Sequence, residues 1–499
     1  MIRKGRCMCM QSECDSRYQE FDISDALFCV KNINLTINHE RLFAAEAPST
    51  GYVGTLKSPY SDEDEDDMQN DMRGSFRPTQ GIYKDVDSFD LYFAIKKGKI
   101  ECVEIKTSQS GIRLKSIELD KEQKVSNQYR TYRVICVFEC NGKPCDPIRT
   151  VSDGSLYCPK CKTKLPWHMG FCDCFIIMPV GNKDYGKTTF LQAAYSLSYN
   201  NKMKIGNYRV FTGKKGGDSK QNVNHRDEHE WTWDNLQMDN WQNGTAATTN
   251  SNEDIFAYFL VNQLTTQEET LFIFRDNAGE FLAEHSSEKL NEFVRKVDVI
   301  LFFSYPYTFT QVKNTWNEVK DRLEKNMKDD FSKDKSKDDG SSMTNQTFEV
   351  LDSQKSQLKN KAGMFVLTMT DKLLEKEPNG NTVIDDLAFG AQSNGGLLIS
   401  SHSILFDKDA PFNIRNYYQC AFESAYLLNN QEEYYRQFMN FDKTWMLGAT
   451  AISSLKDHTM KIDYVFGWLI MCLLEDDGKY FKKPLAEQSP DDFKDNPLY

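Results

Sequence analysis

The sequence predicts an α/β fold with a doubly wound, mainly parallel sheet, and two observations lead to this prediction. Apolar stretches of strand length recur after residue 174, at 175–180, 255–261, 270–275, 298–303 and 363–369. Helical or charged stretches separate most of them, which is the pattern of repeated βα units. The first stretch runs directly into a glycine-rich loop and a helix. A sheet of this kind binds its ligand at the carboxyl ends of its strands, so we expect a ligand at that loop.

The glycine-rich loop fits the phosphate-binding pattern G-x-x-x-x-G-K-[ST] without a mismatch. Its glycines let backbone N–H groups turn toward phosphates, the Lys187 ammonium reaches the outer phosphates, and the Thr188 hydroxyl can bind Mg²⁺. Apolar residues from Phe190 to Leu197 recur at helix spacing, so the loop would lie at a helix N-terminus, which also favours anions. The alternative is a glycine turn with a solvated lysine. The expected nucleotide-binding residues are Gly181, Asn182, Lys183, Asp184, Tyr185, Gly186, Lys187, Thr188 and Thr189.

The strand at 270–275 ends in a second motif, D-x-x-G. Its aspartate, Asp276, would hold Mg²⁺ from the carboxyl end of a strand beside the phosphate-binding loop. The N–H of Gly279 can bond a γ-phosphate and move when that phosphate leaves. The passage at 200–252, rich in Gly, Asn and Asp, exceeds ordinary loop length and fits switch elements.

Cysteines are concentrated in the first part of the chain: of 14, twelve lie at or before Cys174. Such crowding in a long, apparently cytosolic chain indicates metal binding rather than disulfides. Four of them have the spacing of a zinc ribbon, in which four thiolates hold Zn²⁺ tetrahedrally: Cys140, Cys145, Cys158 and Cys161. The Cys-x2-Cys half is the stronger one, and other residues could replace a member: Cys136, His168, Cys172 or Cys174. The alternative is a run of reduced, packed cysteines.

A second group of cysteines, Cys7, Cys9 and Cys14, has no obvious partner pair. Unligated thiols and a second metal site both remain open for it. We therefore expect one zinc ion, bound by the ribbon-like segment.

With these motifs the chain resembles P-loop GTPases of the translation-factor/Ras-like class. Within that class it is similar to the bacterial double-GTPase domains linked to conflict systems, which also follow a C-P-x-C ribbon with a phosphate-binding loop and a D-x-x-G-E strand end. The resemblance covers roughly residues 140–475 and includes an apolar helix around Trp468. It implies GTP and Mg²⁺ as ligands.

The resemblance also implies base-reading residues. Asp371, in the place of the [NT]-K-x-D motif that begins at Thr368, would accept hydrogen bonds from guanine N1–H and the exocyclic amine, whereas adenine N1 is an acceptor and repels it. Thr450 and Ala451 take the place of the usual S-A loop. Met369 replaces the lysine over the base, and Thr450 replaces a serine, so guanine preference would be weakened but not lost.

Two further residues follow from the resemblance. Glu280 stands where Ras-like enzymes place a water-orienting glutamine, and its carboxylate would face phosphate repulsion, so intrinsic hydrolysis should be slow unless a partner stimulates it. The switch threonine that binds Mg²⁺ is assigned to Thr245 over Thr248 and Thr249.

Composition limits the partners. A net charge of −12, a pI near 5.3 and 27% charged residues argue against a general nucleic-acid or anionic-membrane binder. No apolar run reaches the ~18 residues of a membrane span, and the N-terminus lacks the apolar core of a signal peptide, so a cytoplasmic location is expected. Protein partners would bind the zinc ribbon and the N-terminal region.

The length of 499 residues predicts two or three domains. Short strands with polar turns make 1–135 a β-rich region, and its acidic run at 61–67 reads as a linker. The remaining divisions are a zinc-ribbon-like segment at 136–174, a phosphate-loop domain at 175–480 with a charged insertion near 312–360, and a polar tail at 481–499.

The sequence thus predicts a GTP-binding protein with slow, Mg²⁺-dependent hydrolysis. It would act as a nucleotide switch in a multi-protein system, which the resemblance associates with bacterial defence. One alternative is an ATPase, because the base-reading motif is degenerate. The other is a catalytically inert adaptor that binds proteins through its zinc ribbon.

Overall fold

The structure is a computed structural model of the chain. It describes residues 1–10, 14–15, 17–35, 89–106, 111–124, 130–166, 168–181, 186–199, 203–212, 255–276, 294–304, 355–358, 361–368, 370–374, 380, 382, 384–385, 400–407, 409–428, 443–448 and 461–475. The charged insertion predicted near 312–360, apart from 355–358, and the polar tail at 481–499 lie outside these ranges.

The strands in the described residues are β1 (Arg6–Met8), β2 (Glu20–Asp22), β3 (Phe28–Ile33), β4 (Phe89–Lys96), β5 (Lys99–Lys106), β6 (Ile112–Lys124), β7 (Arg130–Cys140), β8 (Lys143–Pro144), β9 (Ile148–Val151), β10 (Asp173–Val180), β11 (Lys204–Ile205), β12 (Tyr208–Phe211), β13 (Ile255–Gln263), β14 (Glu269–Asp276), β15 (Val299–Ser304), β16 (Ala362–Leu367) and β17 (Lys443–Gly448). The α-helices are α1 (Lys187–Tyr199), α2 (Lys355–Leu358), α3 (Ile414–Leu428) and α4 (Ile462–Ile470). Short 3₁₀ turns occur at Ile23–Asp25, Thr370–Leu374 and Ile404–Phe406, and a π turn at Met471–Glu475. No helix in these ranges is both long enough and apolar enough to cross a membrane.

The chain divides into two compact units, which we call the sheet unit (1–20 and 166–499) and the β-rich unit (21–165). The predicted divisions after residues 135, 174 and 480 stay predictions.

The sheet unit contains an 8-stranded sheet in the order β11-β12-β13-β14-β10-β15-β16-β17. The neighbours from β14 through β10, β15 and β16 to β17 run parallel. The neighbours from β11 to β14 run antiparallel. The sheet is therefore mixed, and its parallel part consists of β14, β10, β15, β16 and β17.

The prediction of a doubly wound, mainly parallel α/β fold is wrong. Of the described residues, 46% lie in strands and 24% in helices, and the sheets are mixed. The physical reason is visible at β13 and β14, which are joined only by residues 264–268. A parallel crossover needs about a dozen residues or more, so these two strands can only form an antiparallel pair. Upstream, β11 and β12 add a second antiparallel hairpin within the passage predicted to hold switch elements.

One face of the sheet is covered by α1 and α4 through a cluster of phenylalanines. Phe466 of α4 lies at its centre, with ring centroids 5.0 Å from Phe259 of β13 and 5.6 Å from Phe274 of β14. Phe190 of α1 is 5.3 Å from Phe303 of β15 and stacks on Phe466 at 6.5 Å. The predicted helix after the glycine-rich loop and the predicted apolar helix around Trp468 are both confirmed. Their packing fixes the start of α1 against the carboxyl ends of β10 and β15.

The β-rich unit consists of two antiparallel sheets, β3-β4-β5 and β6-β7-β8 with β9 paired to β7. The short strands predicted for the N-terminal region include β4, β5, β6 and most of β7. Their inward side chains form a hydrophobic core that includes Phe93, Val134 and Phe138. The predicted β-rich character of this region is confirmed.

Candidate functional site

The carboxyl ends of the parallel strands place several predicted site residues at one edge of the sheet. The two parallel neighbours of β10 lie on opposite sides of it, β14 on one side and β15 on the other. The order in which the chain adds parallel strands across the sheet therefore reverses at β10. Such a reversal opens a crevice at the carboxyl ends of the strands, where open sheets bind ligands. Gly181 follows β10 directly, and Asp276 ends β14.

Lys187 is a buried charged residue at this edge. It is the first residue of α1, and its side chain is only 7% exposed. Its Nζ donates a hydrogen bond of 2.7 Å to the carbonyl oxygen of Gly181. The ammonium therefore bridges the two ends of the glycine-rich loop, from the end of β10 to the start of α1. A buried positive charge at a helix N-terminus favours an anion there.

Gly181 is packed tightly against β15. A Cβ atom at this position would lie 2.7 Å from the Phe303 carbonyl oxygen and 3.0 Å from the Phe303 Cβ. Because Phe303 belongs to the strand paired with β10, its backbone cannot move aside without breaking the sheet. The first glycine of the loop thus permits a close approach between backbone segments.

Replacing Gly181 with alanine is expected to lower the free energy of unfolding by about 2 kcal/mol or more, because a backbone clash adds to an unfavourable φ of +157°. Urea unfolding measures the change. Gly380→Ala is the matched control, since Gly380 has a φ of +87° but no atom within 4 Å of an added Cβ. Equal losses in the two variants would contradict the tight packing at Gly181.

The second glycine of the loop contacts the strand that carries the predicted base-reading residues. A Cβ at Gly186 would lie 3.5 Å from the Thr368 Cβ, so the loop rests on Thr368. Thr368 follows β16 and is 2% exposed, and Asp371 lies in the 3₁₀ turn that begins at Thr370. The structure therefore places the start of the Thr368–Asp371 motif beside the glycine-rich loop. The Asp371 side chain lies outside the description.

Asp276 lies at the same edge by register. β10 and β14 pair up to Ile177 and Phe274, so two residues later Asp276 is level with Pro179. Thr188 and Thr189 are half-buried on the first turn of α1. β17 ends at Gly448, which pairs with Leu367 of β16 at this edge. The remaining predicted site residues lie outside the described residues: Asn182, Lys183, Asp184, Tyr185, Thr245, Gly279, Glu280, Thr450 and Ala451.

A separate cluster of four thiols forms a candidate metal site. The Sγ atoms of Cys9, Cys14, Cys158 and Cys161 all lie within 4.8 Å of one another. None of the four is in a disulfide, three are buried and Cys161 is half-buried. Tetrahedral Zn–S bonds of about 2.3 Å require S···S separations of about 3.8 Å, which this cluster can reach with small movements. The four cysteines could hold a metal ion such as zinc.

The turn that carries Cys158 and Cys161 has the backbone geometry of a metal-binding loop. The N–H of Lys160 points at the Cys158 Sγ at 3.4 Å, and the N–H of Lys162 donates to the Cys158 carbonyl at 3.0 Å. Lys162 takes a left-handed φ of 63°, which closes the turn. N–H groups directed at a thiolate stabilise its negative charge and orient it toward a metal. Both cysteines belong to the predicted ligand set, and the structure places both in the four-thiol cluster.

The other predicted pair, Cys140 and Cys145, is not part of the cluster. The residues between them form a tight hairpin turn from β7 to β8, with positive φ at Asn141 and Gly142. Both cysteines pack in the hydrophobic core of the β-rich unit together with Cys136. Burial raises the pKa of the Cys145 thiol to about 11 and that of Cys136 to about 12, so both stay protonated at neutral pH. Among the described residues, the cluster that contains Cys158 and Cys161 is completed by Cys9 and Cys14 and does not include Cys140 or Cys145.

The remaining proposed substitutes also lie elsewhere. The Cys172 Sγ donates to the His168 carbonyl at 3.5 Å, and the Cys174 Sγ donates to the Cys172 carbonyl at 3.5 Å. The His168 ring faces Glu269 at 3.8 Å. These residues pack inside the sheet unit at the amino ends of β10 and β14.

Comparisons with known proteins do not identify a family. No model of a protein family matches the chain, and no curated protein matches it. The resemblance to GTPases therefore stays a prediction, and function is argued from the site itself.

Proposed function

We propose that this chain binds GTP, hydrolyses it slowly and acts as a nucleotide-dependent switch. The observation that supports this most strongly is the buried Lys187 ammonium, held at the head of α1 by the Gly181 carbonyl. A lysine next to a simple turn would extend its ammonium into water. Here the positive charge, the helix N-terminus and a close-packed glycine converge where a phosphate chain would lie.

The residues at this edge would have different roles in binding the phosphates and Mg²⁺. Lys187 and the loop amides would hold the charge of the phosphates. Thr188 and Asp276 offer a hydroxyl and a carboxylate, which are oxygen ligands suited to Mg²⁺. Bound Mg²⁺ would neutralise part of the phosphate charge. Gly279 would sense the γ-phosphate, and the Glu280 carboxylate would be repelled by it, which keeps hydrolysis slow.

GTP is preferred over ATP in this proposal because Asp371 follows Thr368, which packs against the loop. A carboxylate in that position would accept two hydrogen bonds from guanine and none from adenine. Titration with labelled GTP and ATP in the presence of Mg²⁺ decides between the GTPase and the ATPase. Single-turnover phosphate release, with and without candidate partner proteins, separates a switch from an inert adaptor.

Replacing Lys187 with alanine is expected to weaken nucleotide binding by at least about 2 kcal/mol, because an ammonium paired with phosphate is stronger than a neutral hydrogen bond. Isothermal titration of both proteins with GTP gives the difference.

Lys361→Ala is the matched control for the loss of a buried lysine. Lys361 is 8% exposed, and its Nζ donates to the Arg295 carbonyl at 3.2 Å and also to the Val297 carbonyl. It precedes β16 and so lies at the opposite edge of the sheet. This control should lose stability but keep its GTP affinity. An unchanged GTP affinity in a folded Lys187 variant would contradict phosphate binding and favour the alternative, in which the loop is a simple glycine turn.

We further propose zinc as the metal of the four-cysteine cluster, because four thiolates select zinc or iron–sulfur centres. A site of this type suits a reducing compartment, and we propose the cytoplasm. Protein partners would read the switch through the zinc-bearing segments and the β-rich unit, in a multi-protein system of the kind the resemblance implies.

A further inference from the structure

The residue before Asp276 is a fully buried arginine. Arg275 is 0% exposed, and its guanidinium donates a hydrogen bond to the Tyr18 hydroxyl. The Arg275 Cζ also lies 5.9 Å from the centroid of the Tyr18 ring. A buried guanidinium is costly unless it is well bonded, so its position depends on the groups that contact it. Tyr18 is one of those groups.

Tyr18 in turn is held by the loop that carries two of the four clustered thiols. The N–H of Tyr18 donates to the Cys9 carbonyl at 2.8 Å, and the N–H of Arg17 donates to the Cys14 carbonyl at 2.9 Å. Tyr18 is 3% exposed and has a left-handed φ of 60°. A non-glycine residue keeps such a backbone conformation only where its surroundings enforce it. The placement of the Tyr18 ring therefore depends on this loop.

The carboxyl end of β14 is the part of the strand that Arg275 can influence. The register of β14 with β10 runs from Thr270 to Phe274. The register with β13 continues through Arg275 and Asp276. The last two residues of the strand are thus anchored by backbone pairing to β13 and, through the Arg275 side chain, by Tyr18.

We propose that a metal ion at Cys9, Cys14, Cys158 and Cys161 orders the carboxyl end of β14 through Tyr18 and Arg275, and thereby sets the affinity of the nucleotide site. The second half rests on the function proposed above. When the metal is bound, Cys9 and Cys14, whose carbonyls accept from the N–H groups of Tyr18 and Arg17, share one ion. When it is lost, Tyr18 relaxes from its strained backbone conformation, and Arg275 loses an acceptor. The end of β14 that carries Asp276 is then held only by its backbone pairing to β13.

The test compares metal-loaded protein with protein depleted by a chelator, using hydrogen exchange across 271–276 and GTP affinity as two separate readouts. In the wild type, metal removal should speed exchange in 271–276 and weaken GTP binding, each by about tenfold, since one hydrogen bond to a charged group is lost. Tyr18→Phe keeps the ring but removes the acceptor. It should retain its metal yet show most of both effects, and chelation should then add little.

Tyr208→Phe is the matched control, because it removes a buried tyrosine hydroxyl that donates to Glu475 and accepts from Gln263 at 3.2 Å. Tyr208 pairs with Gln263, at the opposite edge of the same sheet from Asp276. This variant should keep the wild-type response to metal.

The outcomes separate the two proposals. Unchanged exchange in 271–276 after metal removal overturns the coupling. An equal rise in 203–212, which covers β11 and β12, also overturns it, because the metal would then stabilise the unit generally. If metal-loaded protein binds no nucleotide, the proposed function fails, and exchange in 271–276 still decides whether metal orders the end of β14.

Discussion

Purified wild-type protein is expected to contain about one zinc ion per chain, and Cys9→Ser is expected to contain almost none. Zinc bound by four thiolates releases on the order of 10 kcal/mol or more, and much of this is folding free energy. Removing one thiolate leaves three ligands and opens the site to water. The Cys9 variant should therefore also lose local folding of the segment that carries Cys9 and Cys14. Elemental analysis and hydrogen exchange over residues 1–20 measure the two effects.

Cys140→Ser is the matched control for the metal prediction. Cys140 is buried in the core of the β-rich unit and lies outside the four-thiol cluster. Its serine variant should lose some stability and keep its zinc. Loss of zinc from the Cys140 variant and retention in the Cys9 variant would restore the ligand set predicted from sequence. Wild-type protein without metal would exclude both sets.

The cysteines show why the sequence predicted half of the metal site. The chain holds two Cys-x4-Cys pairs, Cys9 with Cys14 and Cys140 with Cys145, and one Cys-x2-Cys pair near the second of them. Proximity along the chain favoured the nearer pair. A local signal argued against it, because Asn141-Gly142 is the dipeptide of a tight β-hairpin and places its flanking residues in a sheet. The pairing with residues near the N-terminus is a tertiary contact that spacing cannot show.

The large sheet also shows that sequence patterns predict local elements better than contacts between distant segments. The strand at β10, the loop after it and the helix α1 are contiguous, so local patterns sufficed to predict them. The direction of β13 relative to β14 follows from their short connection, a signal that the spacing of apolar stretches does not carry. The hydrogen bond from Arg275 to the Tyr18 hydroxyl joins positions far apart in the chain and has no sequence signature.

Replacing Asp371 with asparagine is expected to weaken GTP binding by about 2 to 4 kcal/mol, through the loss of two charge-assisted hydrogen bonds to the base. The variant should shift its preference toward xanthine nucleotides, whose C2 carbonyl can accept a hydrogen bond from the new amide. ATP binding should barely change. Competition binding with GTP, XTP and ATP measures all three, and the phosphates and Mg²⁺ are the same for each ligand, so only the base edge differs.

Asp385→Asn is the matched control for this change of charge. Asp385 accepts hydrogen bonds from the Thr382 hydroxyl at 2.6 Å and the Ser401 N–H at 2.9 Å, so its carboxylate is used within the protein. Its asparagine variant should leave the ratio of GTP to XTP affinity unchanged. An equal loss for GTP and ATP in the Asp371 variant would indicate damaged folding. No loss for any nucleotide would mean that the turn after Thr368 does not contact a base, and the ATPase or the adaptor would then replace the GTPase.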